Sequence, residues 1–220
     1  MEKATPGHLL REARLRHGLT EKWETGIDIT LNQGDLKLSA EHRVRRGLAF
    51  ADLVRCNRPG GSGDLGRSVQ IGPLLTALDG NQVDFVVIGS IAGLAHGSAY
   101  PTYDLDVAYA RGSENLNNLV AAIEEIGFQM CREDLVAQDA LSLDTQFGTL
   151  NVIGRVPGID SYEQLQRDSI SELLGGVVVD VASLNHLIAM KRAAGRRKDR
   201  LMVMEYVELA DEIRRREMGG

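Results

Sequence analysis

The sequence predicts an α+β fold: a mixed β-sheet with flanking helices. Three observations carry this. Apolar runs at 83–88, 105–109 and 177–181 are bounded by turn residues, as buried strands are. Helical periodicity appears between them, but helices and strands do not alternate strictly. The chain has 220 residues, 43% of them hydrophobic, enough for one sizeable domain with a small appendage.

The bulk numbers also exclude some classes. A formal charge of -6 and a pI near 5.4 rule out a surface coated with positive charge, so any nucleic-acid contact must be local. The opening residues MEKATPGHLL contain no apolar leader. No apolar run approaches the roughly 20 residues a membrane span needs. Cys56 and Cys131 lie far apart without metal-ligand spacing. A cytoplasmic protein with two reduced thiols and no membrane partner is expected.

Taken in order, residues 8–17 place Leu9, Leu10 and Ala13 at helical spacing, with Gly18 as a stop. LLREARLRHGLT is similar to the first helix of a phage-repressor-type helix-turn-helix, but Trp23 to Leu31 supply no recognition helix. A degenerate DNA-binding segment and a plain amphipathic helix are the two readings. Residues 39–56 form a second helix, with Ser39 as N-cap and Val44, Leu48 and Ala51 along one stripe. In 57–64, four of eight residues are Gly or Pro, the composition of a linker. The expected organisation is therefore an N-terminal helical segment with linker over 1–60 and a main domain over 68–217.

The main domain reads as helix 71–78, strand 83–88, helix 90–96, strand 105–109 and helix 114–126. Strands 141–146 and 149–153 then flank Phe147-Gly148. A helical turn near 161–167, strand 177–181, helix 183–194 and a last helix over 199–216 complete it. The last helix carries Val203, Tyr206 or Val207, Ala210 and Ile213 on one side, ordinary core packing or an oligomer surface.

Chemistry concentrates at the first two strands. Gly89-Ser90 ends strand 83–88 and opens a helix. A helix N-terminus presents free N–H groups and favours an anion. Glycine lets a phosphate approach the backbone, and the serine hydroxyl adds a donor. Asp104 and Asp106 alternate along the next strand and so project from one face, roughly 6–7 Å apart at Cα. Paired carboxylates suit a hard divalent cation. An anion cradle beside a cation site matches a nucleoside triphosphate with Mg²⁺. Each half alone is common: Gly-Ser turns follow many strands, and Asp-x-Asp occurs on many exposed ones.

The stretch VVIGSIAGLAHGSAYPTYDLDV resembles the motif of the DNA polymerase beta-like nucleotidyltransferases. The finer likeness is to small bacterial members of the abortive-infection and toxin–antitoxin type. It rests on Gly89-Ser90, Ala95-His96-Gly97, Thr102 and Asp104-Leu105-Asp106, with VASLNHLIAMKRAAGRRKD at 181–199 in support. It covers roughly residues 70–210. The resemblance implies the polymerase beta-like fold and transfer of a nucleoside monophosphate from a triphosphate to an acceptor hydroxyl on RNA, tRNA or a protein. It implies Asp104 and Asp106 as ligands of Mg²⁺, with two ions expected and Mn²⁺ as a substitute. Gly89 and Ser90, with Thr102, would contact the nucleotide.

Such enzymes place a third carboxylate on a later strand, a position that falls here on Asn151. An amide carries no charge and is no base. If Phe147-Gly148 centres a two-residue hairpin turn, Asp144 pairs with Asn151 on one face, Cβ atoms roughly 5 Å apart. Asp144 then supplies the missing carboxylate, or it is a solvated edge residue and the site is weakened. Asp180 is a further candidate. The alternative function is a catalytically silent member of the same fold, acting as the regulatory half of a toxin–antitoxin-like module.

Residues 191–200 hold six cations in ten positions, a local exception in an acidic chain. Lys191 sits on the buried face of its helix and would pair with triphosphate oxygens. Arg196, Arg197 and Lys198 would receive an RNA acceptor, or they simply solvate a helix end and complement its dipole. His96, at the end of its helix, is read as a capping or half-buried residue.

Overall fold

Strand β1 (Phe85–Ile88) is buried along its whole length and lies inside the sheet. The computed structural model describes residues 36–56, 69–100 and 102–219. Among them α1 (Ala40–Cys56) and α2 (Ile71–Gly80) precede β1; α3 (Gly89–His96), β2 (Asp104–Tyr109), α4 (Ser113–Glu125) and α5 (Arg132–Ala137) follow it. The hairpin β3 (Ala140–Thr145) and β4 (Gly148–Ile153) comes next, then α6 (Tyr162–Arg167). A second hairpin, β5 (Ile170–Leu174) and β6 (Val177–Val181), leads to α7 (Leu184–Ala194) and α8 (Arg197–Gly219). The fold is α+β, as expected. The helix expected at 8–17 and the linker at 57–64 lie outside the described residues.

The six strands run in the order β3-β4-β2-β1-β6-β5. β1 is antiparallel to β2 and parallel to β6, while β2 is parallel to β4, so the sheet is mixed. Side chains alternate across it. Val87, Leu105, Val107, Leu150, Val152 and Val181 share one face, and each is at most 1% exposed. Leu74 and Leu78 of α2 and Leu116, Leu119 and Ile123 of α4 join them in one core. Asp104, Asp106 and Asn151 stand on the other face.

Two features tie the elements of this frame together. Buried Asn115 holds the start of β1 and the end of β2. Its Oδ1 accepts from the Asp84 N–H (2.6 Å), and its Nδ2 donates to Asp84 O (2.9 Å) and Ala110 O (2.7 Å). Asn115→Ala is expected to cost about 2–4 kcal/mol in chemical denaturation, because backbone groups lose their partners in a buried place. An unchanged denaturation midpoint would show that water replaces the amide without loss. Helix α1 packs on α3, with Gly47 against Leu94 and Arg43 Nε donating to Ala95 O (2.6 Å). Ala40 and Val44 of α1 belong to the same core as the sheet.

Three sequence expectations are corrected. The β3–β4 turn is Gln146-Phe147, not Phe147-Gly148, since Thr145 pairs with Gly148. Thr145 Oγ1 accepts from the Phe147 N–H (3.0 Å) and donates to Gly148 O (2.7 Å), closing the turn one residue early. Gly148 holds a φ of 105°, and Val69 crowds the position of a Cβ there. Asp144 therefore faces Thr149, and Ser142 faces Asn151. The other two corrections are additions: β5 and α5 were not expected. β5 is an edge strand with Ile170 and Leu173 exposed and only Leu174 buried, so no alternation marks a buried face. Gly175-Gly176, both at positive φ, was the available hairpin signal. The six-residue α5 is too short to show a period.

Candidate active site

The site forms where β1 ends and β2 begins. The antiparallel register sets Ile88 opposite Asp106, so Gly89 emerges directly beside that carboxylate. Gly89 has a φ of +66°, and a Cβ there would overlap the Asp106 carboxylate. Both facts require glycine. Helix α3 starts at this turn with Ile88 at its N-cap, and no side chain caps it. Ser90, half-buried, is its second residue. The α3 amides thus open next to the Asp pair, and the structure brings Gly89, Ser90, Asp104 and Asp106 together.

On the other side of β2 lies β4. Asn151 is the register partner of Asp106, and Thr149 that of Asp104. Asn151 Nδ2 donates to Asp106 Oδ1 (2.7 Å) and Asp104 Oδ2 (3.2 Å). The position expected to hold a third carboxylate is thus filled by an amide touching both aspartates. Asp144 does not reach them. Its partner across the hairpin is Thr149, whose hydroxyl donates to Asp144 Oδ1 (2.8 Å), and this places it two strands from Asp104. That is about 10 Å in the sheet direction. Asp180 pairs with Val86 and accepts from Ser171 Oγ (3.1 Å), on the far side of β1.

Asp106 is a buried carboxylate with a second one, Asp104, beside it. The Asp106 carboxyl is pushed up to about 6, first by burial and then by Asp104. The Asn151 hydrogen bond, Lys191 and Lys198 act in the opposite direction. Two carboxylates on one strand face, with an amide between them, suit a hard cation with oxygen ligands. The convergence of Asp104 Oδ2 and Asp106 Oδ1 on a single atom, Asn151 Nδ2, is the observation that makes them fit. Among the described residues, no group of three His, Cys, Asp or Glu side chains is placed to hold a metal. Asp104, Asp106 and the Asn151 oxygen, once the amide turns over, are the donors at hand.

Thr102 has a different place from the one expected. It is buried, and its hydroxyl donates to Asp104 Oδ1 (2.9 Å), so it orients the carboxylate. Lys191 approaches the site from α7. Its Nζ lies 3.6 Å from Asp199 Oδ1, and the side chains are 17% and 2% exposed. Asp199 Oδ2 also accepts from the Arg196 N–H (3.2 Å), closing the α7–α8 turn. Asp199 was not anticipated, although an acid three residues after the cap position is a legible helix-start signal. Arg196, Arg197 and Lys198 are exposed around that turn. His96 is buried and donates from Nε2 to Ala182 O (2.8 Å), with burial lowering its pKa. It ties α3 to the end of β6.

Sequence reasoning also missed Glu205. This residue of α8 is 5% exposed. It accepts from the Ser98 hydroxyl (3.0 Å) and the Ala99 N–H (2.7 Å). It thereby anchors the connection between the Gly-Ser helix and the Asp-x-Asp strand. Glu205 lies seven residues beyond Lys198, between Val203 and Tyr206 of the last helix, and no local pattern marks it as the anchor of a distant loop.

No protein-family model matches this chain, and no curated protein matches it. No helix among the described residues is long and apolar enough to cross a membrane.

Proposed function

We propose that the domain is a polymerase beta-like nucleotidyltransferase that moves a nucleoside monophosphate from a triphosphate to an acceptor hydroxyl. The observation that carries this reading is the apposition of Gly89 and Asp106. A helix N-terminus suited to phosphate opens against a carboxylate pair suited to Mg²⁺. Asp104 and Asp106 would hold the cation, which supplies charge neutralisation to the phosphates. Gly89 and Ser90 would seat the triphosphate, and Lys191, released from Asp199, would pair with its oxygens. The acceptor oxygen bonds to the α-phosphorus as the bridge to the β-phosphate breaks, and pyrophosphate leaves. The hydroxyl proton passes to solvent, because Asn151 has no place for it. Arg196, Arg197 and Lys198 form the surface that suits a polyanionic acceptor such as RNA or tRNA; a protein hydroxyl is the other acceptor class.

One observation favours a second reading. The Asn151 amide bonds to both aspartates, which also fits a catalytically silent fold kept as a regulatory partner in a toxin–antitoxin-like module. Incubation with labelled nucleoside triphosphates, Mg²⁺ and total RNA separates the two. Label transfer lost in Asp104→Ala/Asp106→Ala is the expected result. No transfer by the wild-type chain, with transfer gained by Asn151→Asp, identifies the silent form.

A further inference from the structure

Asn151 does more than leave a charge missing. Its Nδ2 lies where the two carboxylates converge, 2.7 Å from Asp106 and 3.2 Å from Asp104. That is the place a shared cation would take. The parallel β2–β4 register holds it there, because Asp106 and Asn151 are direct partners. No other described carboxylate can stand in for it: Asp144 is bonded to Thr149, and Asp180 to Ser171.

The charge balance follows. Two carboxylates are neutralised by one divalent cation. A second would leave the protein donors with two uncompensated positive charges, next to Lys191 and Lys198, whose charges already reach Asp106. The amide adds no charge in either orientation. It can, however, serve two states, because nitrogen and oxygen exchange places on rotation about the last torsion. With no cation the NH₂ group bridges the carboxylates; with one, Oδ1 faces it as a neutral ligand.

We propose that Asn151 sets the cation stoichiometry of this site at one and acts as the placeholder for that cation when it is absent. The inference rests on the nucleotidyl-transfer reading for the use of the cation, but not for its binding. A second divalent ion, where chemistry requires it, must then arrive with the triphosphate.

The test is titration of the full chain with Mn²⁺ alone, followed by electron paramagnetic resonance, together with melting in EDTA and in Mn²⁺. The wild-type chain should take up one equivalent, and Asp104→Ala should take up none. Asn151→Asp should bind Mn²⁺ more tightly by roughly tenfold or more, from the added charge. It should also melt lower than wild type in EDTA and gain more than wild type from Mn²⁺. Asn151→Ala, which adds no charge, should keep one equivalent without tightening. Two tight equivalents in the wild-type chain would overturn the proposal. So would equal Mn²⁺ affinity in wild type and Asn151→Asp, or no uptake by either. Uptake as expected, with no label transfer by any variant, would overturn the nucleotidyl-transfer reading and leave this proposal standing.

Discussion

Gly89→Ala is expected to abolish nucleotide transfer and to destabilise the fold by about 2–4 kcal/mol, a fall in melting temperature on the order of 5–10 °C. Two costs combine. Residue 89 holds a φ of +66°, a conformation that costs an L-residue about 1–2 kcal/mol. The new methyl would also overlap the Asp106 carboxylate, so the strand end or the aspartate must move. Neither movement is local in effect. Moving Asp106 breaks its bond to Asn151 and shifts it from Asp104. Moving the turn tilts the first amides of α3, which the proposed function sets against the triphosphate. Calorimetry and the label-transfer assay read the two consequences separately. A variant that melts like wild type and transfers label would mean that the turn is looser than its geometry.

Glu205→Ala is expected to cost about 2–4 kcal/mol, since the Ala99 N–H and the Ser98 hydroxyl lose their acceptor beside a new cavity. Glu205→Gln should cost much less, because an amide oxygen still accepts from the backbone. The pH dependence gives a further check. Burial raises the Glu205 pKa above its ordinary value. Between the unfolded value, about 4.5, and the raised folded one, the folded chain keeps a proton that the unfolded chain has released. The stability linked to this group is therefore complete below the unfolded pKa and is lost as pH rises through the folded pKa. Glu205→Gln should flatten that decline. Denaturation of both chains from pH 5 to pH 8 measures it, and parallel curves would assign the decline elsewhere. The mutation should also disturb the connection leading to Thr102 and Asp104, so a lower transfer rate is expected of the alanine variant.

The parts of the site that were legible share one property: their geometry follows from local periodicity. The apolar run ending at Ile88, the Gly-Ser turn and the alternation of Asp104 and Asp106 all lie within a short stretch of chain. The placement of Asn151 beside the Asp pair was expected from the resemblance alone; no local period shows it, because parallel pairing of β2 with β4 brings together residues 45 apart. The hairpin register was misjudged because Gly148 looked like a turn residue. Its positive φ instead serves the first strand position, where Val69 crowds it. Thr102 was read as a ligand contact because a hydroxyl beside a motif carries no sign of its partner; the fold turns it onto Asp104. Lys191 was correctly placed on the inner face of its helix, but its ion pair with Asp199 depends on the tightness of the α7–α8 turn. Glu205 illustrates the limit: a buried carboxylate satisfied by a distant loop resembles any helix-surface acid in the sequence.

The central claim is that the Asp104–Asp106 pair, set against Gly89, supports nucleotide transfer. Transfer of label from α-labelled nucleoside triphosphates to total RNA and to protein, by wild type and by Asp106→Asn, tests it most directly. Asparagine keeps the shape of the side chain and removes a carboxylate whose burial is unfavourable, so the variant should melt no lower than wild type. The expected result is Mg²⁺-dependent labelling by the wild-type chain that falls by about a hundredfold or more in the variant. Equal labelling by the two folded proteins would contradict the account.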